Sequence, residues 1–245
     1  MQHNLSSAAQ SWLVAAALVG GLAFMSHAAM AERSEADRKR DLTSRPQEVL
    51  SFMGVQPGWT VLDLFAGSGY YSEVLSQKVG PDGTVYLHNN QAYLGFARGL
   101  DERLADGRLP NVEVYVREIE DVDLASESVD MVLMVMTYHD VYFEQNGWTV
   151  TALPLFNMVH RVLKPGGILA IVDHHAAPGS GRRSVQVLHR IDADYAKQDI
   201  INRGFRFIGS NDLLENPDDD LSKSVFDPAV RFNTSRFVYK FMKPR

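Results

Sequence analysis

The sequence predicts a doubly wound α/β fold, and three observations predict it. Short apolar, β-prone runs alternate with helix-like segments from Thr60 onward, the pattern of a parallel sheet with helices on its faces. The run Val129 to Met136 has almost no polar residue after Asp130, as expected of a strand covered on both faces. Glycine and proline clusters such as Gly80-Pro81-Asp82-Gly83 separate the segments, and they do so because proline fixes φ and glycine frees it. A chain of 245 residues, 45% hydrophobic and 22% charged, can bury one core and is neither collagen-like, coiled-coil nor mostly disordered.

The elements follow in order. Glu32 to Asp41 is dense in charge and reads as a surface helix or arm. Ser44 is placed to cap a helix, with Gln47 at the capping-box position and Gly54 closing it,. Strands are expected at Thr60–Leu64, Thr84–His88, Val112–Val116, Val129–Met136 and Ile168–Val172, with a helix over Tyr70–Val79. Leu155, Met158, Val159, Val162 and Leu163 recur at helical spacing until Pro165-Gly166-Gly167 stops the pattern,. Asp192 can cap a helix Ala193 to Arg203, and Phe205–Ser210 and Arg236–Met242 complete the strands. Residues 32–245 show no internal repeat and read as a single domain.

Residues 1–31 carry no Asp, Glu, Lys or Arg, and Trp12 to Met25 form an apolar run. That run is shorter than the roughly 20 residues of a membrane span. Ala29-Met30-Ala31 supplies an A-x-A cleavage pattern, so residues 1–31 read as a signal peptide cut before Glu32, and the mature chain as periplasmic with no membrane segment,. An uncleaved anchor in the inner membrane is the alternative, since the segment before the apolar run lacks Lys and Arg. The net charge of −6 disfavours nucleic acid as a partner, and the absence of cysteine excludes disulfides, thiolate metal sites and cysteine nucleophiles,.

Ligands of open α/β sheets bind beyond the carboxyl ends of the strands. The first such end is Asp63-Leu64-Phe65-Ala66-Gly67-Ser68-Gly69-Tyr70, where Gly67 and Gly69 let the backbone approach a ligand and the next helix offers free N–H groups,. Ser72 stands where a dinucleotide fingerprint has its third glycine, so pyrophosphate cofactors fit poorly,. A tight turn with no ligand is the plainer alternative.

Val61 to Gly69 resembles motif I of the class I S-adenosylmethionine-dependent methyltransferases. Gly80 to Tyr86, Val129 to Val132 and Arg161 to Gly167 resemble later segments of that family in the same order. The likeness runs from about Arg45 to Pro244, and the export signal narrows it to the exported methyltransferases of bacteria. It implies a Rossmann-like, mostly parallel seven-stranded sheet with the last strand antiparallel, S-adenosyl-L-methionine as cofactor and a small-molecule methyl acceptor. Carried over by position, Asp63, Ala66, Gly67, Ser68 and Gly69 would line the methionine part of the cofactor. Glu118 would sit near the adenine amino group with Ile119 beside the ring. Asn89 stands where the family has an acidic residue on the ribose hydroxyls, and an amide accepts a weaker hydrogen bond than a carboxylate.

Tyr138-His139-Asp140 and Asp173-His174-His175 follow two apolar runs. By the resemblance, these strand ends are neighbours facing the transferred methyl group. His139 is the first choice for a general base, because an imidazole titrates near neutrality, with Asp140 or Asp173 orienting it and His174 nearby. No metal is assigned, although His and Asp are also good ligands for a divalent ion; histidines hydrogen-bonded to buried backbone are the plainer reading. His160 reads as solvated, His88 as part of a strand, His189-Arg190 as a surface turn with the alternative of a substrate contact reaching over the site, and Asp218-Asp219-Asp220 as a solvated loop, with the option of a lid. A non-catalytic binding module that kept the fold is the rival to an enzyme.

Overall fold

Side chains in Thr60–Leu64 (β1) alternate between two cores, Val61 entering one and Leu62 and Leu64 the other. The same alternation runs through Val129–Val135 (β4) and Leu163–His174 (β5). This period of two places apolar residues on both faces of a sheet, which helices must then cover. The computed structural model describes residues 33–145 and 147–245, so the signal-peptide reading of residues 1–31 lies outside the described residues.

One core is roofed by Pro46–Met53 (α2) and Tyr70–Val79 (α3), the other by Ala152–Val162 (α5) and Ala193–Asn202 (α7). Glu35–Ser44 (α1) precedes them, and the short helices Leu100–Leu104 (α4) and Val185–Leu188 (α6) lie between them in the chain. With Thr84–Asn89 (β2), Val112–Val116 (β3), Arg206–Asn211 (β6) and Arg236–Met242 (β7), the sheet has seven strands in the order β3-β2-β1-β4-β5-β7-β6. All neighbours are parallel except β7, which runs antiparallel to both β5 and β6. The sheet is the one implied by the resemblance.

Chain order reverses between β1 and β4, which opens a crevice at their carboxyl ends,. Four local expectations change. Ser44 ends α1 rather than capping α2, whose N-cap is Arg45 in left-handed backbone with no side-chain cap. His160 is not solvated: its Nε2 pairs with the Arg203 carbonyl at 2.8 Å and its ring stacks on Phe205. Arg190 is fully buried and bonds both Asp219 oxygens at 2.9 and 3.0 Å, so neither the surface turn nor the solvated acidic loop holds at these residues. Asp192 does cap α7, accepting from the N–H groups of Asp194 and Tyr195.

Candidate active site

The turn after β1 is shaped by what its backbone must avoid. Gly67 has φ +57°, and a Cβ there would come within 3.3 Å of the Phe96 carbonyl oxygen. At Gly69, φ +78°, a Cβ would lie 2.6 Å from a Leu87 methyl. Glycine is the residue that meets both conditions. No side chain caps α3, which starts at the end of this turn, so no side-chain acceptor competes for its first N–H groups,.

Asp63 is buried beneath the turn, and its Oδ2 accepts from Ser72 Oγ at 2.6 Å. Burial raises its carboxyl to about 7, against the pull of that hydrogen bond,. Asn89 is fully buried and spends its amide on Gly67, accepting from the Gly67 N–H at 2.8 Å and donating to the Gly67 carbonyl at 3.0 Å. It therefore clamps the turn from behind instead of facing the crevice to meet a ribose. Glu118 does line the crevice, and it accepts from the Gln91 N–H at 3.0 Å, while Ile119 turns into the core.

The crevice has a volume of about 1290 Å³. Phe65, Tyr93 and Trp148 form one wall, with Phe65 ring centroids 5.4 Å from each of the other two. Arg40 of α1 lies on another side, its guanidinium 3.8 Å over the Tyr70 ring and its Nε buried with no hydrogen-bond partner. The loop before β7 adds Phe226, Arg231 and Phe232. Four of the eight non-glycine residues with positive φ among the described residues, Phe65, Met136, His189 and Phe232, line this crevice. Left-handed backbone costs energy for such side chains and gathers where a site fixes their direction.

The polar cluster converges as expected, with one correction and one addition. Asp173 is fully buried and holds His139 twice, accepting from its backbone N–H at 2.7 Å and pairing with Nδ1 at 2.8 Å. Asp140 lies 3.2 Å from His139 Nε2. Burial would lower the His139 pKa, but the two carboxylates outweigh it and raise it to about 10,. An imidazolium with both nitrogens engaged has no lone pair for a proton, so His139 is not poised as the general base that the sequence suggested. Burial, then the charge on His139, keeps the Asp173 neighbour His174 neutral; it lines the crevice, with Nδ1 2.7 Å from Thr234 Oγ1.

The addition is His189, read from sequence first as a surface turn and second as a residue reaching over the site, and the crevice lining includes it. Its Nδ1 is 3.7 Å from Asp140 Oδ1, and its ring packs against Phe143 and Phe226 at 4.4 and 4.8 Å. Local sequence does not decide between the two readings, because the position depends on the fold bringing the segment after α6 over the end of β4. Arg40 was hidden in the same way within a charge-dense helix.

A family model described as a methyltransferase domain matches residues 56–203. The chain belongs to that family. Arsenite methyltransferase of Halobacterium salinarum is 34% identical over 124 residues, 50% of this chain and 29% of that protein. A ubiquinone/menaquinone biosynthesis C-methyltransferase of Legionella pneumophila is 30% identical over 144 residues, 56% of this chain and 54% of that protein. The chain thus spans under two thirds of the length of these curated relatives. A solved SAM-dependent methyltransferase from Aquifex aeolicus has a TM-score of 0.57 at 24% identity, covering 84% of this chain and 96% of that one. Geranyl diphosphate C-methyltransferase from Streptomyces coelicolor A3(2) has a TM-score of 0.57 at 13% identity, covering 87% of this chain and 85% of that one. At these identities the solved structures are likenesses of fold.

Proposed function

We propose that this chain transfers a methyl group from S-adenosyl-L-methionine to a small-molecule acceptor, with the cofactor in the crevice beyond β1. The observation that carries the reading is the Gly67 turn, clamped by Asn89 and open to a crevice of about 1290 Å³ in a chain of the methyltransferase-domain family. The residues present suit the cofactor. Half-buried Arg40, whose Nε is buried without a partner, suits a carboxylate, and Asp63 suits an ammonium,. Both act on the buried Tyr71 phenol, which puts them in one neighbourhood. Ala66, Gly67 and Ser68 give the backbone edge, and Glu118 stands across the crevice for the adenine side.

The sulfonium supplies an activated methyl group, so the protein's work is orientation and the exclusion of water. The aromatic wall of Phe65, Tyr93 and Trp148 supplies that dry surface. His139, Asp140, His174 and His189 mark the acceptor end, where the neutral His174 imidazole can orient an acceptor by hydrogen bonding. Relatives named for arsenite and for quinone precursors support a small acceptor rather than a polymer, and a net charge of −6 argues against nucleic acid. The chain acts outside the cytoplasm after cleavage before Glu32, a reading supported by the apolar run and Ala29-Met30-Ala31,. Calorimetry with S-adenosylmethionine and S-adenosylhomocysteine tests the cofactor: micromolar binding that Gly67→Val removes supports it, and no heat with either ligand rejects it.

A further inference from the structure

The geometry points to a divalent-cation site formed by His139 Nε2, Asp140 and His189 Nδ1 at the acceptor end of the crevice, with Asp173 holding His139 from behind. One donor atom from each of the three residues lies within 4.8 Å of the others. Two of the separations, 3.2 Å from His139 Nε2 to Asp140 Oδ1 and 3.7 Å from His189 Nδ1 to the same oxygen, are close to the edge of a ligand tetrahedron. Metal–ligand distances of about 2.0–2.2 Å give edges of about 3.3–3.6 Å. The donor atoms therefore need little movement to close on one ion.

The surroundings are built for that ion in three respects. Asp173 occupies the ring nitrogen of His139 that points away from the cluster, at 2.8 Å. Once His139 gives up its Nε2 proton, this contact leaves Nδ1–H facing Asp173 and the Nε2 lone pair facing Asp140, the outer carboxylate arrangement found behind metal-bound histidines. Two buried carboxylates, Asp140 and Asp173, flank a single imidazole. A dication there would offset that concentration of carboxylate. The remaining parts are braced: Trp148 Nε1 donates to the Asp140 carbonyl at 2.6 Å, and His189 is held in left-handed backbone between Phe143 and Phe226.

Two imidazoles and one carboxylate suit a borderline ion such as Zn²⁺, Co²⁺ or Fe²⁺ better than Mg²⁺, which favours oxygen ligands. Three protein ligands beside an open crevice leave a coordination position for another molecule. Binding moves one proton from His139 Nε2 to solvent as the metal–nitrogen bond forms. Resting on the methyltransferase reading, the ion would hold the oxygen or thiol of the acceptor and lower its pKa. The acceptor class is therefore a hydroxyl or thiol compound rather than a carbon nucleophile.

Titration of the metal-stripped full chain with Co²⁺, read by visible absorption, tests the site without any turnover. One Co²⁺ per chain with ligand-field bands of nitrogen and oxygen coordination is expected. His189→Ala and Asp140→Asn should abolish those bands, Asp173→Asn should weaken binding about 10- to 100-fold, and His160→Ala should leave it unchanged. Circular dichroism of each variant establishes that its fold survives. Absence of stoichiometric binding, or full binding in folded His189→Ala, overturns the site. Calorimetry with S-adenosylhomocysteine on the stripped chain separates the two readings, since it reports the cofactor crevice whether or not Co²⁺ binds.

Discussion

Asp173 grips His139 at two points, its Oδ2 accepting from the backbone N–H at 2.7 Å and its Oδ1 meeting ring Nδ1 at 2.8 Å. Oδ1 also accepts from the His174 N–H at 2.7 Å, so one carboxylate at the end of β5 fixes the end of β4 and its own strand terminus together. Asp173→Ala leaves these donors buried and the His139 charge without its closest partner. A loss of about 3–5 kcal/mol is expected, the usual cost of breaking a buried pair from one side. Urea unfolding of the metal-free protein measures it, and a loss below about 1 kcal/mol would show that water replaces the carboxylate.

Asn89→Asp tests the clamp on Gly67. From sequence, a carboxylate here would be expected to tighten cofactor binding through a stronger bond to the ribose. In the structure it would keep the Gly67 N–H but lose the donor to the Gly67 carbonyl and press two oxygens together in a fully buried place. Weaker binding of S-adenosylhomocysteine and a lower melting temperature are expected. Asn89→Ala should cost about 1–3 kcal/mol by stranding the same two backbone groups.

With Asp63 at the cofactor, affinity is expected to depend on pH. Its carboxyl is raised from 3.8 to about 7 by burial, so between those values the folded chain keeps a proton that the unfolded chain has lost. Its contribution to stability is therefore most favourable below the unfolded pKa and declines as pH rises towards 7. A bound cation favours the ionised form, so binding expels the proton. Affinity should rise with pH by up to about tenfold per unit below 7 and level off above it. Calorimetry at several pH values should show this slope in the wild type and a flat profile in Asp63→Asn.

Export is tested by intact mass. Protein from the periplasmic fraction of an expressing bacterium should begin at Glu32, as Ala29-Met30-Ala31 implies,. A full-length chain recovered from the cytoplasm would contradict both the cleavage site and the location.

The sheet was legible because its strands are short β-prone runs bounded by turn signals: Thr60–Leu64, Val112–Val116 and Arg236–Met242 end where the sequence places them,. The glycine turn and the two His-Asp strand ends were legible because strand ends in such sheets are where ligands go. Local sequence could not show which way a polar side chain turns after its strand. Asn89 and Glu118 both lie near strand ends, yet one is spent on backbone and the other faces the crevice. Nor could it show partners far along the chain, such as Asp140 for His189 or Asp219 for Arg190. Charged residues read as solvated when their counter-charges are out of sight.

The left-handed backbone at Phe65, Met136, His189 and Phe232 sets a direction for evolution and for engineering alike. Glycine at any of these positions would relax the local backbone but remove a side chain that walls the crevice,. The same change would free the walls of the crevice to wander. Backbone ease and a fixed crevice are thus in tension at four identifiable positions, and a lineage that gained the first there would be expected to lose the second.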